Sequence, residues 1–98
     1  MPVPNKVKWL SAARQNLDDE ATYIAQDDAA AASRFVARVL DAVAQLAQQP
    51  GIGRPGRVPG TRELVVLKTR YIVPYIVNGD QVTILRVFHT SRRLPKRW

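Results

Sequence analysis

One stretch of this chain divides it into two kinds of structure. Residues 50–60 read PGIGRPGRVPG, with three prolines and four glycines, and neither a helix nor a central strand tolerates that density of breakers. On its two sides the hydrophobic period differs, 3.6 before it and 2 after it. Apart from one short strand at the start, the sequence therefore places its helices first and its sheet second.

Residues 6–10, KVKWL, alternate charged with apolar side chains and read as a first strand. Ser11 offers an N-cap to a first helix whose inner face is Ala13, Leu17, Ala21 and Ile24, with Asp18, Asp19 and Glu20 expected to face outward. Asp27-Asp28 supplies a stop and a new cap. After it, AAAASRFVARVLDAVAQLAQQ carries Phe35, Val36, Val39, Leu40, Val43 and Leu46 at helical spacing. Arg34, Arg38 and Asp41 lie opposite that stripe, as on an ordinary amphipathic helix. Pro50-Gly51 ends the second helix, because proline disfavours the helical region for the residue before it.

Beyond the loop, residues 63–67, 71–77 and 82–88 read as strands, joined by Lys68-Thr69-Arg70 and by Asn78-Gly79-Asp80. Such short connections make an antiparallel meander. Pro74 removes a ladder donor, so that position must face away from a partner or sit at a bulge. Without a bulge, alternation groups Arg86 with Val82, Ile84 and Phe88, and His89 with Thr83, Leu85 and Val87. The expectation is an α+β fold in the order β-α-α-β-β-β. Its αα-hairpin packs on one face of an antiparallel sheet and leaves the other face partly open. At 98 residues the whole chain suits one domain, residues 1–98, with one modest core.

Composition narrows the chemistry. Zero cysteines and a single histidine leave no disulfide framework, no thiolate nucleophile and no zinc-type cluster, so neither metal nor cofactor is expected. No apolar run approaches the ~20 residues that span a bilayer, and MPVPNKVKWL lacks the apolar core of a signal peptide, so a cytoplasmic protein without membrane contact is expected. Phosphate-binding loops, nucleophile elbows and HExxH motifs are missing. Charge is lopsided: up to Pro50, five Lys and Arg face six Asp and Glu, a net of −1, whereas the remainder has ten against two, a net of +8. Such a field attracts polyanions such as nucleic acid, the ribosome or an acidic protein segment.

Two acid/base candidates stand out in the basic half, Glu63 and His89, among Arg62, Arg70, Arg86 and Arg92. RNA cleavage by 2′-OH attack needs a base, an acid and cations for the developing phosphorane, which these residue types can supply. The competing structural reading has His89 ending a strand and Glu63 pairing with a neighbouring arginine. The segment 92–97 reads as a basic tail that is solvated or docks on a partner.

Taken together, the element order, the segment Gly53-Arg54-Pro55-Gly56 leading to Thr61-Arg62-Glu63-Leu64, the strand Tyr71-Ile72-Val73-Pro74-Tyr75 and the run from Ile84 to Arg93, ILRVFHTSRR, resemble the RelE/ParE superfamily of bacterial type II toxins over nearly the full chain. Membership implies a small cytoplasmic toxin neutralised by a cognate antitoxin, ParD- or RelB-like, through an acidic or amphipathic segment. RelE-type members are ribosome-dependent mRNA endonucleases. Of this chain's residues Arg92 matches a nuclease position of that type, while Tyr71 stands where the family's strand carries arginine. If the chain is a nuclease, the catalytic residues would be Arg70, Arg86, His89 and Arg92, positioning and stabilising the scissile phosphate, with His89 or Glu63 as base. ParE-type members inhibit DNA gyrase through surface contacts, and the R-E-L and L-R-V-F-H segments favour this branch. If the chain is of this type, its basic loop and tail, with Arg54, Arg57, Arg62, Arg92 and Arg93, would contact the target and no residue would perform chemistry. A basic binding module or an inactive toxin is the further alternative.

Overall fold

The structure is a computed structural model and describes residues 4–98. Strand β1 (Lys6–Trp9) leads into helices α1 (Ser11–Ala25) and α2 (Ala29–Ala44), then β2 (Arg54–Pro55), β3 (Arg62–Val65), β4 (Tyr71–Asn78), β5 (Gln81–Ile84) and β6 (Phe88–His89). The helical hairpin lies on one face of the sheet, as the change of period implies.

Helix α2 supplies most of the helical core. Its start is held by Asp28, whose Oδ1 accepts the Ala31 N–H at 3.0 Å, and it buries Ala32, Phe35, Val39 and Val43. A 3₁₀ turn, Gln45–Ala47, carries Leu46 into the core before Pro50 is reached. Helix α1 has no side-chain cap. Ser11 is its first residue, the cap position falls on Leu10, and Leu10's carbonyl takes the N–H groups of Ala13 and Arg14. Leu17, Ala21 and Ile24 rest against the core as their spacing predicts, but Glu20 is buried instead of facing outward. It stands seven residues after fully buried Ala13, two helical turns on and therefore on the same face.

The strands stand in the order β1-β5-β4-β3-β2. β3, β4 and β5 form the expected antiparallel meander, closed at one end by Gly79-Asp80, where Gly79 adopts φ +61°. β1 joins β5 in parallel, Val7 beside Val82 and Trp9 beside Ile84, so the sheet is mixed, not wholly antiparallel. That register puts Val7 and Trp9 on the face where Val82 and Ile84 meet the helices. The breaker-rich loop is not wholly irregular either, since Arg54 and Pro55 pair with Glu63 and Arg62 as a short edge strand.

Pro74 reshapes the last strand. Tyr75 pairs with Ile84 and Ile72 with Phe88, so three steps along β4 are matched by four along its partner, the signature of a bulge. Pro74's carbonyl still accepts the Leu85 N–H at 2.9 Å, and its missing donor faces the same side, where β5 stops. The extra residue reverses the alternation expected for the third run. Val87 joins Val82 and Ile84 in the helix-side core and His89 meets Tyr71 there, while Arg86 and Phe88 turn to the opposite face. That opposite face is not left open around β6. The segment after β6 crosses to it and seats Trp98 against Phe88, with ring centroids 5.2 Å apart, and Ile72 and Pro74 are buried there.

Candidate functional site

A cleft of 660 Å³ opens where the helical hairpin overhangs the start of β4 and the end of β6. Its floor is Phe35 and Tyr71, with ring centroids 4.6 Å apart, and His89 meets Tyr71 edge-on at 4.8 Å. Around it stand Arg34 and Arg38 from α2, Lys68 and Arg70 from the β3–β4 turn, and Arg92 from the segment after β6. Five cations thus line one concavity. Two come from the nearly neutral half of the chain, on the helix face expected to be plain solvated exterior. Lys68 is placed there by a left-handed backbone, φ +63°.

Glu20 is the anion of this cleft. The Tyr71 hydroxyl donates to its Oε2 at 2.7 Å and Arg92 Nη2 pairs with its Oε1 at 2.6 Å. Burial and the hydrogen bond to Glu20 hold the Tyr71 phenol above the ordinary tyrosine range, so it stays neutral. The Arg92 guanidinium is therefore already balanced by a carboxylate of the protein. His89 is committed as well: its Nδ1 accepts the Ser91 backbone N–H at 3.1 Å and lies 2.6 Å from the Ser91 hydroxyl, closing the turn after β6. Accepting that N–H leaves the ring proton of the neutral tautomer on Nε2.

The other candidate residues lie elsewhere. Glu63 is buried on the sheet face opposite the helices, where Oε1 accepts from Arg54 Nη2 at 3.2 Å and Oε2 from the Arg57 backbone N–H at 3.0 Å. It ties the breaker-rich loop to β3. Arg62 donates to the Gly53 carbonyl at 2.8 Å and serves the same loop. Arg86 donates to the backbone oxygens of Leu85 and Trp98 on the far face. Of the five residues that a nuclease reading requires, the fold gathers His89, Arg70 and Arg92 in the cleft, and holds Glu63 and Arg86 on the opposite side of the sheet. Of the five target-contact candidates, Arg54, Arg57 and Arg62 cluster at the β2 edge, while Arg92 and Arg93 sit beyond β6.

Sequence reasoning missed Glu20, Arg34, Arg38 and Lys68. For Glu20 the signal was its seven-residue spacing from Ala13; for Arg34 and Arg38 it was the i, i+4 step that stacks them on one side of α2. Among the described residues no three His, Asp or Glu side chains come together in a metal-binding group, and no helix is long and apolar enough to cross a membrane.

This arrangement has counterparts. The family model for the ParE toxin of type II toxin–antitoxin system, parDE, matches residues 7–94. A Sinorhizobium fredii protein described as "Putative toxin Y4kP" is 44% identical over 91 residues, covering 93% of this chain and 94% of its own. A chain from the chromosomal ParDE system of P. aeruginosa superposes with a TM-score of 0.78 at 30% identity, covering 87% of this chain and 95% of that one. A chain of the RelBE2 toxin–antitoxin complex of Mycobacterium tuberculosis gives 0.65 at 26% identity, covering 89% and 99%. With its fold and nearly its whole length matched, the chain belongs to the ParE toxin family of type II toxin–antitoxin systems.

Proposed function

We propose that this toxin acts in the cytoplasm as a ParE-like inhibitor of DNA gyrase, through surface contacts and without chemistry of its own, and that a cognate antitoxin neutralises it. The observation that carries this reading is the division of the nuclease candidates. Glu63 and Arg86 lie on the face away from the cleft, each bonded to the protein's own groups, and the cleft's Arg92 is paired with Glu20. General acid–base cleavage of RNA needs a base within hydrogen-bond reach of the 2′-OH and unpaired cations at the phosphate. A surface inhibitor needs neither. The exposed arginines at the β2 edge, Arg54 and Arg57, and beyond β6, Arg93, then serve as target contacts.

The grouping of His89, Arg70 and Arg92 in one cleft favours a second reading, a ribosome-dependent mRNA endonuclease. The two are separated by adding purified toxin to a gyrase supercoiling reaction and, in parallel, to ribosomes translating a reporter mRNA. Loss of supercoiling with intact mRNA is the expected result. Cleavage of mRNA in the ribosomal A site with gyrase untouched overturns the proposal.

A further inference from the structure

The segment 90–98 has two anchors on opposite faces of the sheet. Arg92 is paired with Glu20 in the cleft on the helix side, at 2.6 Å. Six residues later, Trp98 packs edge-on against Phe88 and its carbonyl oxygen accepts from Arg86 Nη2 at 3.1 Å, on the far side. Between them the segment has no helix or strand, and among the described residues no backbone–backbone hydrogen bond joins residues 93–98 to the rest of the chain.

Those six steps reach at most about 21 Å when fully extended. The chain must pass from one face of the sheet to the other within that length. The far anchor is also imperfect. Trp98 Nε1 is buried with no hydrogen-bond partner among the described residues, a cost that works against the docked position. A docked residue on a short tether depends on the tether's other anchor.

We propose that residues 90–98 form a two-ended strap, in which the Glu20–Arg92 ion pair on the helix side holds Trp98 on the far side, so that loss of the pair releases the indole. Release uncovers Phe88 and its register partner Ile72 beside the Arg86 guanidinium, and it frees the Arg92 guanidinium at the cleft. One motion changes both faces of the sheet. This coupling is independent of the toxin's target, because it rests only on contacts within the chain.

The test uses the two tryptophans, Trp9 and Trp98. In a Trp9→Phe background Trp98 is the sole indole, and neutral acrylamide reports its exposure by fluorescence quenching. Glu20→Gln removes the charge that holds Arg92 and keeps an oxygen to accept from Tyr71. With the far-UV circular dichroism spectrum preserved, this variant is expected to raise the Trp98 quenching constant at least threefold and to shift emission to the red. Phe88→Ala, which cuts the far anchor directly, is expected to do the same. An increase with Phe88→Ala but none with Glu20→Gln overturns the coupling. Full quenching already in the Trp9→Phe parent overturns the docking itself.

Discussion

Glu20 and Tyr71, fifty-one residues apart in the chain, share a buried 2.7 Å hydrogen bond that ties the middle of α1 to the first residue of β4. Arg92 adds a second partner to the same carboxylate, but its side chain is 60% exposed against 8% for Glu20. The two contacts are therefore unequal. A buried donor left without an acceptor costs about 1–3 kcal/mol, whereas an exposed ion-pair partner contributes roughly 0–1 kcal/mol.

Glu20→Ala is accordingly expected to destabilise the fold by about 2 kcal/mol, because it strands the Tyr71 hydroxyl. Arg92→Ala is expected to cost less than about 1 kcal/mol. Urea denaturation of both variants gives the order directly. Equal or greater loss from Arg92→Ala contradicts the assignment of the hydrogen bond as the stronger tie.

Alkaline pH probes the same contact. Burial first, and the bond to Glu20 second, raise the Tyr71 phenol in the folded state, so folding favours its neutral form. The resulting stability is fully present below about pH 10, the value of an unperturbed phenol, and is lost as the pH rises through and beyond it. Between pH 9 and 11 the urea midpoint of the wild-type protein should fall more steeply than that of Tyr71→Phe, which has no phenol to ionise. Parallel pH profiles would place the linkage elsewhere.

At the β2 edge, the backbone of Gly53 runs against Tyr75. The Tyr75 hydroxyl accepts the Gly53 N–H and donates to the Pro50 carbonyl, both at 2.8 Å, and a Cβ on residue 53 would stand 2.6 Å from that oxygen and 3.0 Å from the Glu63 carbonyl. Neither the fully buried tyrosine nor the strand carbonyl can give way cheaply. Gly53→Ala is expected to cost about 1–3 kcal/mol, the range of overpacked cores, whereas Gly51→Ala, which meets nothing within 4 Å, should be near neutral. Thermal denaturation of the pair checks the difference.

Much of this architecture is legible in the sequence, for a physical reason. Phe35, Val39 and Val43 repeat at helical spacing and Val73 and Tyr75 at strand spacing, so the chain's own periodicity tells which face is inside. Asp28 and the Gly79 turn are local signals and held where expected. What periodicity cannot carry is pairing between distant segments. β1 takes a parallel edge beside β5, a choice made by where the hairpin returns the chain. The bulge at Pro74 required the partner strand to be known before Arg86 and His89 could be assigned to faces. The cleft draws on α1, α2, the β3–β4 turn and the segment after β6, and Glu20 looked like the third member of an acidic surface run because its partners are far along the chain.

His89 carries the last prediction. Its Nδ1 closes a turn through Ser91 and its ring edge meets Tyr71, both structural services to the end of β6. A histidine used only in this way can be replaced at modest cost. His89→Ala should lose about 1 kcal/mol of stability from the hydrogen bond and aromatic contact, while, on the proposed gyrase reading, keeping inhibition within a few-fold of the parent at equal folded concentration. Glu63→Ala should behave alike in function but lose more stability, since it leaves the Arg57 N–H without its acceptor and frees the loop. A general acid or base behaves differently, because its removal lowers the chemical step by about 10²–10⁴-fold with the fold intact. Measured with gyrase and with translating ribosomes side by side, a selective collapse of mRNA cleavage in His89→Ala would show that the imidazole acts on substrate and that closing the turn is secondary.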